Sequence, residues 1–281
     1  MLRRVAKCVA VVWAVICVSP IFIILIGSLM GNAELYQLIG PILGEGEGYA
    51  AWRIMPQYPT LRNIVELLLD TPEYYVLFGN SIKLTLAIAI GQLLFAVPAA
   101  WGLARYRGRL GKILYAIYIF CMLLPFQVTM LSQYIVLNGM NMINTLWSLI
   151  LPMVFSTFPV FIIYQSFEQM PNEVIEAAKI DGASGFRIFI SIGVPMSREG
   201  ILAAMLLGFL EYWNMVEQPV VFIRDAWISP LSIYLPEFAR GSLGRSFAFS
   251  LFSMIPAIVA FAAGRNALEN GFSVDGGSVN D

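Results

Sequence analysis

The sequence predicts an all-α integral membrane protein of six transmembrane helices, with a helix–turn–helix between the fourth and fifth. Composition makes the first case: 59% of the 281 residues are hydrophobic, 12% are charged and the mean hydropathy is +0.76. That is too apolar for a soluble globular chain. Six stretches, near 8–30, 80–104, 113–137, 143–167, 199–223 and 246–266, supply the roughly 20 apolar residues that a helix needs to cross a bilayer. Nothing reads as low complexity or as an internal repeat long enough for a duplicated fold. The whole chain, 1–281, is one transmembrane domain on this reading.

The first span follows Arg3, Arg4 and Lys7, which resemble the basic start of a secretory signal. Its apolar run from Cys8 to Met30 is too long for one, and no clear A-x-A cleavage site follows, so a retained helix is expected. The segment 31–79 is the one substantial outer loop. Its middle, Glu45 to Pro59, is rich in Gly, Pro and aromatics and reads as irregular. Thr60 then precedes LRNIVELLL, a short amphipathic helix with Leu61, Ile64, Val65 and Leu68 on one face. Such a helix lies on the membrane or packs over an outer mouth.

Basic residues set the orientation. Arg105, Arg107, Arg109 and Lys112 fill the connection after the second span, and Lys179, Arg187 and Arg198 lie in the loop 168–198. With an even number of spans these share a side with both termini and the tail 267–281. The other side has Arg53, Arg62, Arg224, Arg240 and Arg245 but also Glu34, Glu45, Glu47, Glu66, Asp70, Glu73, Asp225 and Glu237. The excess of Lys and Arg over short loops puts the 168–198 loop and both termini in the cytoplasm. A net charge of −1 gives no bulk attraction to nucleic acid.

Within that loop, residues 176–182 read EAAKIDG. The preceding Pro171-Asn172-Glu173 marks a helix start: Asn172 is the expected cap, and Glu173 and Glu176 suit the positive end of the helix dipole. Gly182 is the expected stop, because a helix ending in a left-handed residue prefers glycine. Ala177 and Ala178 leave little side chain, so another backbone can approach. A second helix is expected from Ser184, a plausible cap, with Phe186, Ile188, Phe189 and Ile192 as apolar positions. From these residues alone, an ordinary capped loop helix explains the pattern as well as a docking element does.

The string EAA, then Asp181, Gly182 and Ala183, with Pro195 twelve residues on, resembles the EAA loop of binding-protein-dependent ABC importer permeases of the maltose-type carbohydrate family. PTLRN at 59–63, FGNS at 78–81, LPFQVTMLSQY at 124–134, NTLW at 144–147 and Trp213-Asn214 extend the likeness, in order, over about three quarters of the chain. The resemblance implies a permease subunit that docks its EAA helix into a cleft of a nucleotide-binding subunit through Glu176, Ala177, Ala178, Asp181 and Gly182. It implies a second, different permease chain, two ATP-binding subunits that hold ATP and Mg, and an external solute-binding protein that docks on the outer loop. It also implies a sugar or oligosaccharide as cargo. Two departures stand out. MSREGI at 196–201 has Glu199-Gly200 where relatives usually carry Pro, and the glycine-containing tail ends in Asp275 and Asp281 instead of basic residues.

No catalytic set is visible. GRLGK at 108–112 has no glycine five residues before Gly111, and Ile113 replaces Ser or Thr, so the phosphate-cradling loop of an ATPase is absent. Cys8, Cys17 and Cys121 have no pairing or ligand spacing, and histidine is missing altogether, which excludes disulfides and a His-based metal site. The membrane interior holds one unusual group, Glu211, about 18 Å along a helix from Glu199 at ~1.5 Å per residue. Asn214 and Gln218, at i+3 and i+7, share its phase, with Ala204 and Gly208 below. Intramembrane carboxylates mark a pathway or a partner. The stripe Glu211, Asn214, Gln218 is therefore a candidate pathway lining, or Glu211 pairs across a subunit interface. A self-sufficient secondary transporter would need a coupling-ion site and commonly shows inverted repeats; a structural membrane protein leaves the EAA loop unexplained.

Overall fold

Every regular element among the described residues is helical. The computed structural model describes residues 2–43, 49, 53, 55–106, 108–235 and 242–272. The expectations that rest on Glu45, Glu47, Arg107, Glu237, Arg240, Asp275 and Asp281 lie outside the described residues. The helices are α1 (Leu2–Ser28), α2 (Asn32–Ile39), α3 (Arg62–Leu69), α4 (Pro72–Arg105), α5 (Arg109–Met122) and α6 (Phe126–Gly139). They continue with α7 (Trp147–Val154), α8 (Thr157–Glu168), α9 (Asn172–Ile180), α10 (Gly185–Ile188), a π-helical turn at Phe189–Gly193, and α11 (Val194–Met196). The last three are α12 (Arg198–Trp213), α13 (Glu217–Phe222) and α14 (Leu243–Phe272).

Four segments are long and apolar enough to cross a membrane: Arg4–Ser28, Pro72–Arg105, Trp147–Glu168 and Leu243–Glu269. Two bent pairs pass the same test together, Arg109–Met122 with Phe126–Gly139 at 100° and Gly185–Met196 with Arg198–Trp213 at 72°. Counting each pair once gives up to six spans. The expected unbroken span 113–137 is thus a broken one. Pro125 is extended, with ψ 152°, and it lacks the amide that would continue α5, so α6 sets off in a new direction. The expected span 199–223 also breaks. α12 stops at Trp213, where Asn214 turns its side-chain amide onto the Leu210 carbonyl (2.8 Å), and Pro219 cannot donate to a continuing helix. α4 begins at Pro72, earlier than expected, so helix replaces the end of the 31–79 loop.

The chain divides into two compact units. The first comprises Met1–Phe78 and Ile233–Pro256. In it α1 is exposed along most of its length, with apolar side chains such as Trp13 and Ile16 facing outward, as suits a lipid-facing helix. The buried face of α3 is Asn63 and Leu67, whereas Leu61 and Val65 of the expected apolar stripe are exposed. The reason is the end of α1. Its last carbonyls have no partner within the helix, and the buried Asn63 amide donates to Ser28 O (3.0 Å) and to Met30 O just beyond (2.7 Å). Met30, Leu35, Leu38 and Leu243 form the adjoining apolar cluster.

The second unit comprises Gly79–Ser232 and Ala257–Asp281. Its core is built on α4, α8 and α12, with Ala96, Ala100, Ile163, Phe167 and Ala204 buried together. Small residues allow the close approach that drives helix pairing in lipid: at Gly200 a side chain would strike Ser166 of α8. A second cluster gathers Leu84, Ile88, Leu149, Tyr212 and Phe222. Between the clusters Gln92 of α4, only 1% exposed, donates to Met153 O (2.8 Å) and to the Tyr212 hydroxyl (2.6 Å).

Candidate functional site

The loop 168–198 holds a helix closed at its C-terminal end, a tight turn and a second, N-capped helix. α9 starts after Pro171, and Asn172 is its first helical residue, not its cap. The Asn172 side chain is committed elsewhere: its Oδ1 accepts from Arg105 Nη1 at 3.4 Å. The end of α9 follows the expectation. Gly182 has φ +79°, its amide donates to Lys179 O, and the Ala183 amide donates to Ala178 O, both at 3.0 Å. These two bonds satisfy carbonyls that the helix end leaves open and reverse the chain in one residue. Ser184 then caps α10 by accepting from the Arg187 amide (3.4 Å).

The sides of α9 sort its residues. Ile175 and Ala178 are buried against Ile188 and touch Trp101, Ala183 and Ile192. Glu176, Ala177, Asp181 and Gly182 are exposed. The two alanines therefore differ: Ala177 leaves a low outer surface, while Ala178 lets α10 close on α9. Ile180 is 86% exposed and Phe186 75% exposed, so the outer surface carries apolar groups beside its acids. Of the apolar positions expected in the second helix, Ile188 is buried with Ile175 and Ala178 of α9, and Phe186 faces outward.

Behind α9 lies a cleft of about 260 Å³ lined by Trp101, Arg105, Asn172, Ile175, Glu176, Lys179, Gly185 and Ile188. Arg105 closes α4, where the sequence suggested only a loop charge. Its Nη2 donates to Phe167 O near the end of α8, and its guanidinium lies 4.9 Å over the Trp101 ring. Trp101 in turn meets Phe167 edge-on (5.1 Å) and Phe189 at a tilt (5.6 Å). Neither Arg105 nor Trp101 stood out as a functional residue in the sequence, although an aromatic one turn before a terminal arginine is a readable signal for a stacked pair.

The proposed pathway stripe is not brought together on one helix. Ala204, Gly208 and Tyr212 are buried, which puts Glu211 one position off the packed face and leaves it exposed. Asn214 is exposed at the helix end, and Gln218 belongs to the separate α13. The shared helical phase fails because α12 ends between them. Glu211 is nonetheless far along the bundle from the loop. Its neighbour Tyr212 meets Gln92, thirteen residues and about 20 Å from the Arg105 end of α4 at ~1.5 Å per residue. Trp213 is buried and stacks on Phe209 at 5.9 Å. On the side of α13 it is Glu217, accepting from Gln127 (2.8 Å), that ties this helix to α6.

Among the described residues no group of His, Cys, Asp and Glu is arranged to hold a metal ion. Residues 92–272 match the family described as binding-protein-dependent transport system inner membrane component. Protein LplC of Bacillus subtilis (strain 168) is 31% identical over 220 residues, 78% of this chain and 70% of the relative. The arabinooligosaccharides transport system permease protein AraQ of the same organism is 26% identical over 260 residues, 92% of this chain and 89% of the relative. The fold resembles a chain from the crystal structure of a bacterial ABC transporter involved in the import of the acidic polysaccharide alginate, with TM-score 0.78 at 18% identity, covering 94% of this chain and 95% of that one. The matched region contains α8 to α13, all of the loop and its supports Trp101 and Arg105, and the chain belongs to the binding-protein-dependent transport system inner membrane components, the permease subunits of ABC importers.

Proposed function

We propose that this permease forms half of the translocation pathway of a sugar or oligosaccharide importer and is driven by a separate ATPase that docks on α9. The observation that carries the coupling role is the outer surface of the loop. Glu176, Ala177 and Ile180 stand outward on a helix whose inner side, Ile175 and Ala178, is fixed to the following turn. A rigid body with an exposed acidic and apolar surface can seat in a groove and move as a piece. Glu176 lies past the first turn of α9, where the helix dipole offers it little, so an acid at this place has more to gain from a basic partner residue.

ATP and Mg are held by two ATP-binding subunits, because this chain lacks a phosphate-cradling loop. The positive-inside bias places α9, both termini and the 267–281 tail in the cytoplasm, with the 31–79 loop facing an external solute-binding protein. A second, different permease closes the pathway. One subunit leaves a bound solute partly against hydrocarbon, and each unsatisfied polar group there costs several kcal/mol. Loaded binding protein and ATP then favour different states of one two-state assembly. Sugar cargo is supported by the resemblance in residues 59–63, 124–134 and 144–147 and by the name of AraQ.

The test is uptake of labelled oligosaccharides into proteoliposomes that hold this chain, the second permease and the ATPase, with binding protein outside. Uptake is expected only from the complete set. Robust uptake without the second permease, with a homodimer recovered in detergent, overturns the heteromeric pathway. Uptake without any ATPase overturns the energy source.

A further inference from the structure

We propose that Arg105 is a positioning residue that locks the elbow between α8 and α9, so that displacement of the coupling helix is delivered to α4 and α8 together. It rests on the coupling role of α9 proposed above. α8 ends at Glu168 and α9 starts at Asn172, with only Gln169–Pro171 between them. A three-residue link held by its backbone alone would act as a hinge and absorb movement. One guanidinium spans it. Arg105 Nη2 donates to Phe167 O, a carbonyl of the last turn of α8, and Nη1 donates to Asn172 Oδ1 (3.4 Å) on the first residue of α9. The positive charge sits where the α8 dipole is negative.

The same group is fixed from behind. The Trp101 ring lies under the guanidinium at 4.9 Å, and Trp101 is itself wedged between Phe167 of α8 and Phe189 of the π-helical turn. A planar fork stacked on an aromatic face presents its donors in a fixed geometry, whereas an ammonium on a flexible stem is a point charge without that fork. Elsewhere α9 meets the rest of its unit through the small apolar contact of Ile175 and Ala178, and the cleft of about 260 Å³ opens behind it. Among the described residues, Arg105 thus supplies side-chain hydrogen bonds to both sides of the elbow, at the point where α4, α8 and α9 meet.

The experiment uses the complete reconstituted importer and compares wild type with Arg105→Lys and Arg105→Gln. Measured are ATPase subunits retained on purification, basal ATP hydrolysis, and solute taken up per ATP hydrolysed. Both variants are expected to keep the ATPase and its basal turnover. Uptake per ATP should fall on the order of tenfold in Arg105→Gln, the scale of a lost charge-assisted hydrogen bond, and by less in Arg105→Lys. Wild-type uptake per ATP in Arg105→Gln overturns the proposal. Loss of assembly in both variants also overturns it, since Arg105 would then serve folding only. A separate arm crosslinks Ala177→Cys to the ATPase in a background otherwise lacking cysteine. Failure of that crosslink with Arg105 intact refutes the docking role of α9 and is distinct from failure of the elbow.

Discussion

Replacing Gly182 tests the turn with a backbone change alone. Its φ of +79° lies in the left-handed region, and a Cβ built there meets no atom within 4 Å. Crowding therefore contributes nothing, and the penalty is conformational. For an L-residue that penalty is roughly 1–2 kcal/mol, with Asn tolerating the region better and β-branched residues worse. Against it stand the two bonds that close the turn, from Gly182 N to Lys179 O and from Ala183 N to Ala178 O. If the strained turn opens, both are lost and α10 is released from the inner side of α9.

A penalty of that size changes a two-state ratio by about 5- to 30-fold. The expected order of stimulated ATP hydrolysis and uptake is Gly182 first, then Gly182→Asn, Gly182→Ala and Gly182→Val. Membrane insertion should stay constant, because the turn at Gly182 lies outside the candidate spans. The assay is hydrolysis by the reconstituted complex with and without loaded binding protein, normalised to the amount of permease. Unaltered stimulation in Gly182→Val would show that the turn is not used for coupling. A Gly182→Asn variant as impaired as Gly182→Val would show that side-chain identity matters and not the sign of φ.

Two further predictions concern the membrane part. Gln92→Leu removes one hydrogen bond from the Met153 carbonyl, which still accepts from the Ser156 amide, and one from the Tyr212 hydroxyl; it should destabilise the protein by ~0.6–1.7 kcal/mol, the range for hydrogen bonds between membrane helices, and lower the unfolding midpoint in detergent more than Tyr212→Phe does. An unchanged midpoint would mean that the amide stabilises nothing there. In a background free of Cys8, Cys17 and Cys121, Glu211→Cys, Asn214→Cys and Gln218→Cys should react with a small polar thiol reagent to an extent that depends on ATP and binding protein, while Ala204→Cys stays unreactive. If all three are inert in every state, these positions face lipid or a partner and not the pathway.

The helical class and the turn were legible because they depend on local chemistry. Six apolar stretches need no tertiary information, and a left-handed helix stop selects glycine whatever surrounds it. The failures came where a distant group intervened. Asn172 reads as a cap in isolation, but Arg105, 67 residues earlier, takes its side chain as an acceptor. On α3 the apolar stripe reads as one face of an amphipathic helix, but the sequence does not show that Asn63 turns inward to the open carbonyls at the end of α1. Ala177 and Ala178 read alike, and only the return of α10 separates an outer alanine from an inner one. In each case the deciding partner lies outside the local window.

The same distinction explains the two interrupted spans near Gln92. The break between α7 and α8 falls at Phe155 and Ser156, two residues past Met153; the end of α12 falls at Trp213, one residue past Tyr212. Gln92 bonds to both Met153 and Tyr212, so one amide on the long α4 joins two helices close to where each is interrupted. Non-helical backbone at membrane depth persists only where protein buries it or where it borders a water-filled cavity. Buried Tyr212 and Trp213 supply the protein side at the end of α12, and exposed Asn214 satisfies the Leu210 carbonyl on the other. A hydropathy window passes over these interruptions because Phe155, Trp213 and Met215 lie in or beside them. What betrays them in the sequence is the polar residue set among them: Gln92, Ser156 and Asn214 each have a place in a stretch that composition alone would fill with leucine.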